Sequence, residues 1–262
     1  MTFSDPMPLH AHGNVVNSFG SSRDVWGVLG GAGPVASAEF LRTVYAEPAP
    51  GVEQELPIVL LHSDPSIPDR TEAVLAGRLE ELARETTWRA DRLLMAGATR
   101  LLLCCITLHP VIPLLPLRLR ERIVSLVDLI FDEIEHRAEP HLMLCTIGTR
   151  QMRLFDGHKR WPLVSDRIVL PNDRDQQRIH QLIYDVKRHR VDPADADVIG
   201  DMMRGYGVQA CVAGCTEIHV VARTLRCEAG RSLPCVDPLA IAATVIRGTS
   251  VPRGTDASSI AV

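Results

Sequence analysis

RLLLCCITLH (Arg100–His109) and QACVAGCTEIH (Gln209–His219) are two versions of one pattern. In each, an apolar run leads to a cysteine, Cys105 or Cys215, and a histidine, His109 or His219, follows four residues later. Short apolar runs bounded by turn signals read as buried strands. A thiol on the turn that leaves such a strand lies at the carboxyl end of its sheet, which is where parallel α/β sheets take ligands. Two thiols at equivalent points of two related units can serve one small molecule from opposite sides.

Reading outward, VWGVLG (Val25–Gly30) is a buried strand followed by a glycine turn, and Pro34 suits the first turn of a helix. LPIVLLHSD (Leu56–Asp64) is a second strand that runs into a polar loop, PSIPDR, and an amphipathic helix over about 78–95 precedes the first cysteine run. The pattern then restarts. HLMLCTIGT (His141–Thr149) matches the opening strand and turn, and DRIVLPND (Asp166–Asp173) matches the second strand. Helices near 176–187 and 194–206 lead to the second cysteine run. Gly30 and Gly148 are 118 residues apart (148 − 30) and the two cysteines 110 (215 − 105), so the units are of comparable size. The expectation is an α/β protein of two pseudo-symmetric lobes, 24–125 and 126–247, each a mostly parallel sheet flanked by helices, with a site in the cleft between them. Segments 1–23 and 248–262 lack periodicity and read as loose extensions.

Composition narrows the function classes. A net charge of −4 argues against a polyanion-binding surface, and 4% aromatic residues leave few stacking platforms for single-stranded nucleic acid. The basic run Lys187–Arg190 reads as a solvated helix face. No apolar run approaches the roughly 18 residues of a membrane span, and no leader is evident at the start. Seven cysteines, an odd number without a disulfide-like framework, fit a reducing cytosol.

A free thiol has a pKa of about 8.5 and is lowered at a helix N-terminus, which would make Cys105 and Cys215 usable acids or bases near neutrality. Two other readings stay open. Cysteines are often small buried hydrophobes, a role that suits Cys104, Cys145, Cys211, Cys227 and Cys235. Two Cys-x-x-x-His units could also supply four zinc ligands, although structural zinc sites usually pair cysteines on one tight knuckle. Gly31-x-Gly33 formally opens a dinucleotide fingerprint, but the acidic residues at the right distance, Glu53 and Glu55, precede the second strand. Backbone N–H groups meeting a carboxylate explain the glycines equally well.

GVLGGAGPVAS (Gly27–Ser37), PSIPDRT (Pro65–Thr71), CITLH, CTIGT (Cys145–Thr149), IYDVK (Ile183–Lys187) and AGCTEI (Ala213–Ile218), in this order, resemble the aspartate/glutamate racemase family, specifically its amino-acid racemase branch. The resemblance covers about Val25 to Arg247. It implies a cofactor-independent, metal-free 1,1-proton transfer with Cys105 and Cys215 as the acid/base pair, Cys105 facing the proton of the D substrate and Cys215 that of the L substrate. It places Gly31, Ala32, Ile106, Thr107, Thr149 and Thr216 around the substrate, the threonines at its α-carboxylate. Arg70 and Lys187 match positions that meet an acidic side chain. Glu217 takes a supporting role, serving the second cysteine or the substrate amino group; by spacing alone, His109 and His219 either simply lie one helical turn beyond their cysteines or support them by orienting or charging the thiols. A small-molecule substrate, a homodimer and a cytoplasmic location are implied. Departures concern the cradle: Ile106 stands where the family usually has asparagine, Ala32 where it has methionine, and Met152 and Phe155 where serine and tyrosine are common. A substrate other than free aspartate or glutamate fits these changes. A maleate-type isomerisation, a malonate-type decarboxylation or a non-catalytic metabolite sensor remain alternatives.

Overall fold

The computed structural model describes residues 24–46, 52–188, 191–192 and 194–248. The expected extensions at 1–23 and 248–262 lie outside these residues, Gly248 excepted.

The first half runs β1 (Val25–Gly30), α1 (Pro34–Val44), β2 (Ile58–Ser63), α2 (Arg70–Leu75), α3 (Leu79–Met95), β3 (Arg100–Leu103), a 3-10 helix (Ile106–Leu114), α4 (Leu117–Arg120), β4 (Ile123–Val124) and α5 (Leu126–Ile134). The second half runs β5 (His141–Leu144), α6 (Ile147–Gln151), β6 (Ile168–Val169), α7 (Asp173–Lys187), α8 (Ala194–Gly205), β7 (Ala210–Ala213), α9 (Glu217–Ala229), β8 (Cys235–Val236) and α10 (Pro238–Ile246).

Two four-stranded parallel sheets result, ordered β2-β1-β3-β4 and β6-β5-β7-β8. The order is the same in both halves, as the sequence restart implies. Parallel neighbours require crossover connections, which the intervening helices supply. The central strands are the most buried: β3 holds Leu101–Leu103 and β5 holds His141–Leu144 inside, while β2, on a sheet edge, is half-exposed along its length.

Several boundaries differ from the sequence reading, each for a local reason. The PSIPDR segment is not wholly loop: Asp69 accepts the Glu72 N–H and caps α2, so Arg70 is the first residue of a helix. Asn172 accepts the Asp175 N–H and starts α7 three residues earlier than periodicity suggested, which leaves only two residues of DRIVLPND in a strand. After Cys105 the chain forms a 3-10 helix, because Pro110 and Pro113 lack the N–H groups an α-helix would use. Cys227, read as a small buried hydrophobe, is exposed and Cys235 half-buried, whereas Cys104, Cys145 and Cys211 are buried.

The largest core cluster belongs to both halves. Trp26, Val28, Phe40, Leu102 and Ile106 meet Met143, Phe155, Val212 and Val236, with α5 (Ile130, Phe131, Ile134) and α10 (Leu239, Ala243, Ile246) between them. The two sheets are therefore joined by a continuous apolar seam, and this fixes the mutual position of the strand ends that carry Cys105 and Cys215.

Candidate active site

Each cysteine leaves the carboxyl end of a central strand. Cys105 follows β3 and caps the 3-10 helix, and Cys215 follows β7 just before Thr216, the N-cap of α9. Both are almost fully buried. Around them the fold gathers Arg70 from the start of α2, Lys187 from the end of α7, and Glu217 from the first turn of α9.

The Cys215 thiol donates to Glu217 Oε2 at 2.8 Å. Burial pushes its pKa well above the ordinary thiol value, and Glu217 and Cys105 push the same way while Lys187 opposes them. The helix start does not make this thiol acidic as the sequence reading expected: burial and a neighbouring carboxylate outweigh it. Arg70 is buried too. Burial works against its cation, yet Cys105, Asp69 and Glu217 outweigh that and raise its pKa. Lys187 follows the same logic: burial disfavours its charge, Glu217 and Cys215 restore it, and Arg70 opposes. It is no solvated face residue, since its Nζ lies 4.2 Å from the centre of the Tyr184 ring. The two thiols, two cations and one carboxylate thus form a single electrostatic neighbourhood.

The glycine turn closes this space. Gly31 (φ 85°) lies so close to the Asp64 backbone that a side chain there would collide with it, and its N–H donates to Ser37 Oγ at 3.3 Å. That amide is engaged within the turn, so Gly31 offers its shape rather than a free donor. The Ala32 carbonyl accepts from Arg70 Nη2 at 2.7 Å. Gly33 (φ 147°) faces Glu217, and a Cβ there would collide with Oε1. Gly33→Ala is therefore expected to displace that carboxylate from Cys215. Turnover should fall about tenfold or more through the lost charge-assisted contact, and stability by about 1–3 kcal/mol from strain at positive φ; kinetics and urea unfolding of the variant check both.

Thr107 Oγ1 lies 3.1 Å from Thr149 Oγ1 and 3.2 Å from Thr146 Oγ1, and Thr146 and Thr149 are 3.1 Å apart. This triangle of hydroxyls links the two halves. Thr216 Oγ1 donates to Glu217 Oε2 at 3.4 Å. The Ile106 side chain is wholly buried in the seam between the sheets.

The histidines do not meet the thiols. His109 Nδ1–H donates to the Cys105 carbonyl at 3.1 Å, and Nε2 accepts the Leu126 N–H at 3.0 Å. A carbonyl only accepts and an amide N–H only donates, so the ring is the neutral Nδ1–H tautomer, and burial pushes its pKa down to about 4. It shapes the turn that carries Cys105 and does not charge the sulfur. His219 Nδ1 lies 2.6 Å from Asp237 Oδ2 and Nε2 lies 3.0 Å from Thr43 Oγ1, so its ring faces α1 and α10. The four donors of the zinc reading accordingly do not converge, and among the described residues no group of three or more His, Cys, Asp or Glu could hold a metal ion.

His109 makes stability pH-dependent. Its folded pKa of about 4 lies below the roughly 6.5 of a free histidine. The unfolded chain therefore binds the extra proton between these values. Stability is fully present above pH ~6.5 and falls by about 3 kcal/mol on going down to pH ~4. Denaturant titrations at several pH values should show this slope and its loss in His109→Gln.

Sequence reasoning missed Thr146, Asp69 and Tyr184. Tyr184 Oη donates to both Asp69 carboxylate oxygens, at 2.9 and 3.0 Å, and so ties the cap of Arg70's helix to the helix of Lys187. Only Asp69 left a signal, an Asp-x-x-Glu cap pattern. Tyr184 lies 115 positions away in the chain, and only the packing of α7 brings it there.

No helix among the described residues is long and apolar enough to cross a membrane. Comparison of the fold shows similarity to an aspartate racemase from Picrophilus torridus at 22% identity, TM-score 0.71, covering 87% of this chain and 96% of that one. An aspartate racemase homologue from Pyrococcus horikoshii OT3 is similar at 18% identity, TM-score 0.59, covering 85% and 97%. A glutamate racemase from Francisella tularensis, solved with D-glutamate, is similar at 13% identity, TM-score 0.56, covering 86% and 80%. At these identities the likeness is one of fold. Residues 29–246 match the Asp/Glu/hydantoin racemase family along most of the chain, and the chain belongs to that family.

Proposed function

We propose that this protein is an amino-acid racemase or epimerase that works without pyridoxal phosphate or metal, on an acidic or modified α-amino acid, with Cys105 and Cys215 as its acid/base pair. One observation carries the reading: two buried thiols stand at equivalent strand ends of two like sheets, and the second donates to the Glu217 carboxylate.

The Arg70 cation complements negative charge on the Cys105 sulfur. The Cys105 thiolate takes the Cα proton, and the electrons of the broken C–H bond remain on the substrate as a carbanion delocalised into its α-carboxylate. The Cys215 thiol gives its proton to the opposite face, forming the new C–H bond and becoming a thiolate. The reverse reaction exchanges these roles. Arg70 and Lys187 hold an acidic side chain, while Thr107, Thr149 and Thr216 with neighbouring amides hold the α-carboxylate and its developing charge. A homodimer in the cytoplasm is the expected form.

Incubating enantiopure aspartate, glutamate and related acids in deuterium oxide tests this. Solvent deuterium at Cα that disappears in Cys105→Ala and Cys215→Ala supports it. Exchange that survives loss of both thiols, or no exchange with any α-amino acid, refutes it.

A further inference from the structure

We propose that Cys211 and Cys235 form an oxidation site: a two-electron oxidant such as hydrogen peroxide joins them in a disulfide that ties edge strand β8 to β7 and leaves Cys105 and Cys215 as thiols. The proposal stands apart from the racemase reading, because neither sulfur belongs to the site described above.

Cys211 and Cys235 are directly paired in the parallel register of β7 and β8, and Val212 and Val236 form the next pair. Side chains alternate across a strand, so paired residues share a face. The packing agrees. Cys211 belongs to the apolar cluster built with α7, α8 and α9, and Cys235 packs against the same cluster, whereas Val212 and Val236 lie in the seam between the sheets. Neighbouring strands run about 4.8 Å apart, inside the roughly 4.4–6.8 Å between Cα atoms that a disulfide spans. The Cys211 sulfur is turned toward β8: it donates at 3.5 Å to the carbonyl of Pro234, the residue just before Cys235. The Cys211 backbone N–H donates to the same carbonyl at 3.0 Å. A bond between the two sulfurs therefore asks for rotation of side chains rather than movement of strands.

Access is unequal. Cys211 is fully buried, while Cys235 is half-buried on the last strand of its sheet. A cavity of about 320 Å³, lined by Leu225, Leu233 and Pro234 among others, opens where the chain enters β8. Cys235 meets the oxidant first. Its sulfur attacks one peroxide oxygen; the S–O bond forms, the O–O bond breaks, and the leaving hydroxide takes the thiol proton to become water. The Cys211 sulfur then attacks the Cys235 sulfur; the S–S bond forms, the S–O bond breaks, and the hydroxyl leaves with the Cys211 proton as a second water. Two thiols have lost two electrons and two protons, and peroxide has been reduced to two waters. Contact with Cys211, and after it burial, holds the Cys235 pKa well above the usual thiol range. Little thiolate is present at neutral pH, so the pair stays reduced until oxidant is supplied. The loop that the bond closes, 211–235, contains Cys215 and the whole of α9. Asp237, two residues further on, lies 2.6 Å from His219 of that helix. The disulfide thus anchors the segment carrying the second strand-end thiol without consuming that thiol.

The test uses the full chain with Cys227→Ser, which removes the exposed thiol. The protein is treated with hydrogen peroxide, unfolded in N-ethylmaleimide, digested with trypsin and analysed by mass spectrometry. Four of the six remaining cysteines should be alkylated, with the Cys235 peptide joined to Cys211. Fragmentation distinguishes Cys211 from Cys215, which shares its tryptic peptide. The Tm should rise by about 5 °C or more, as a closed loop of this length implies, and dithiothreitol should reverse the rise. Cys235→Ser, at the half-buried edge, and Cys211→Ala, in the core, should each abolish both the link and the rise; either variant alone suffices as the control. A link from Cys235 to any other cysteine overturns the proposal. So does sulfinic acid at Cys235 with Cys211 still alkylated, six alkylated cysteines after peroxide, or a linked form that melts no later than the reduced one.

Discussion

Cys105→Ala and Cys215→Ala are each expected to slow racemisation by roughly 10²–10⁴-fold, the span for loss of a positioned general acid or base. The double variant should be little worse than the poorer single one. Inversion needs a base on one face of Cα and an acid on the other, so removing either already breaks the sequence, and effects within such a unit are not additive. Polarimetry with either enantiomer reads the loss directly. Cys104→Ala serves as a comparison. Its thiol is also fully buried and neighbours Cys105 in the chain, and burial likewise raises its pKa. It packs in the seam between the sheets, so its replacement should cost stability rather than stereochemical turnover. Equal losses in the Cys104 and Cys105 variants would mean that the assignment of the first base is wrong.

Phe131→Ala carries the largest expected effect on stability, a loss of about 3–5 kcal/mol in urea unfolding. Phe131 on α5 is fully buried and contributes to the cluster shared by both sheets. Its ring stacks on His158 at a centroid distance of 4.5 Å and lies 6.3 Å from Phe155, so truncation leaves a cavity bounded by side chains from both halves. Because this seam sets where the two cysteine-bearing strand ends stand, activity should fall along with stability. Trp88→Ala provides the contrast. That ring is half-exposed and flanked by Arg89 and Arg92, and its removal should stay within about 1 kcal/mol. A Phe131 variant as mild as the Trp88 variant would show that the seam is not what joins the sheets.

The chain's period and repetition made much of the fold legible. β1 begins and ends where VWGVLG suggested, the central strands fall on the apolar runs, and the second half repeats the first. The short strands β4 and β8 and the helices α5 and α10 were not read. Two-residue strands carry no alternation, and α10 is apolar enough that periodicity does not separate helix from strand, whereas α5 does carry a helical period, its Leu126, Val127, Ile130, Phe131 and Ile134 falling on one buried face. For the site, motif order brought Arg70, Lys187, Glu217 and both cysteines to notice. It could not say that His109 would cap a turn, that His219 would face Asp237, or that the Gly31 N–H would be engaged by Ser37.

Sequence by itself determined which residues are apolar, where strands end, and that two thiols occupy equivalent ends of two similar units. These follow from side-chain chemistry and spacing along one element, since the α and β periods tie local order to burial. Tertiary structure decided the partners. Cys215 meets Glu217, Arg70 reaches the Ala32 carbonyl, and Tyr184 grips Asp69 because helices distant in the chain pack across a shared core. Pairing between buried polar atoms depends on distances of a few tenths of an ångström between such elements, and no pattern within a single strand or helix encodes them.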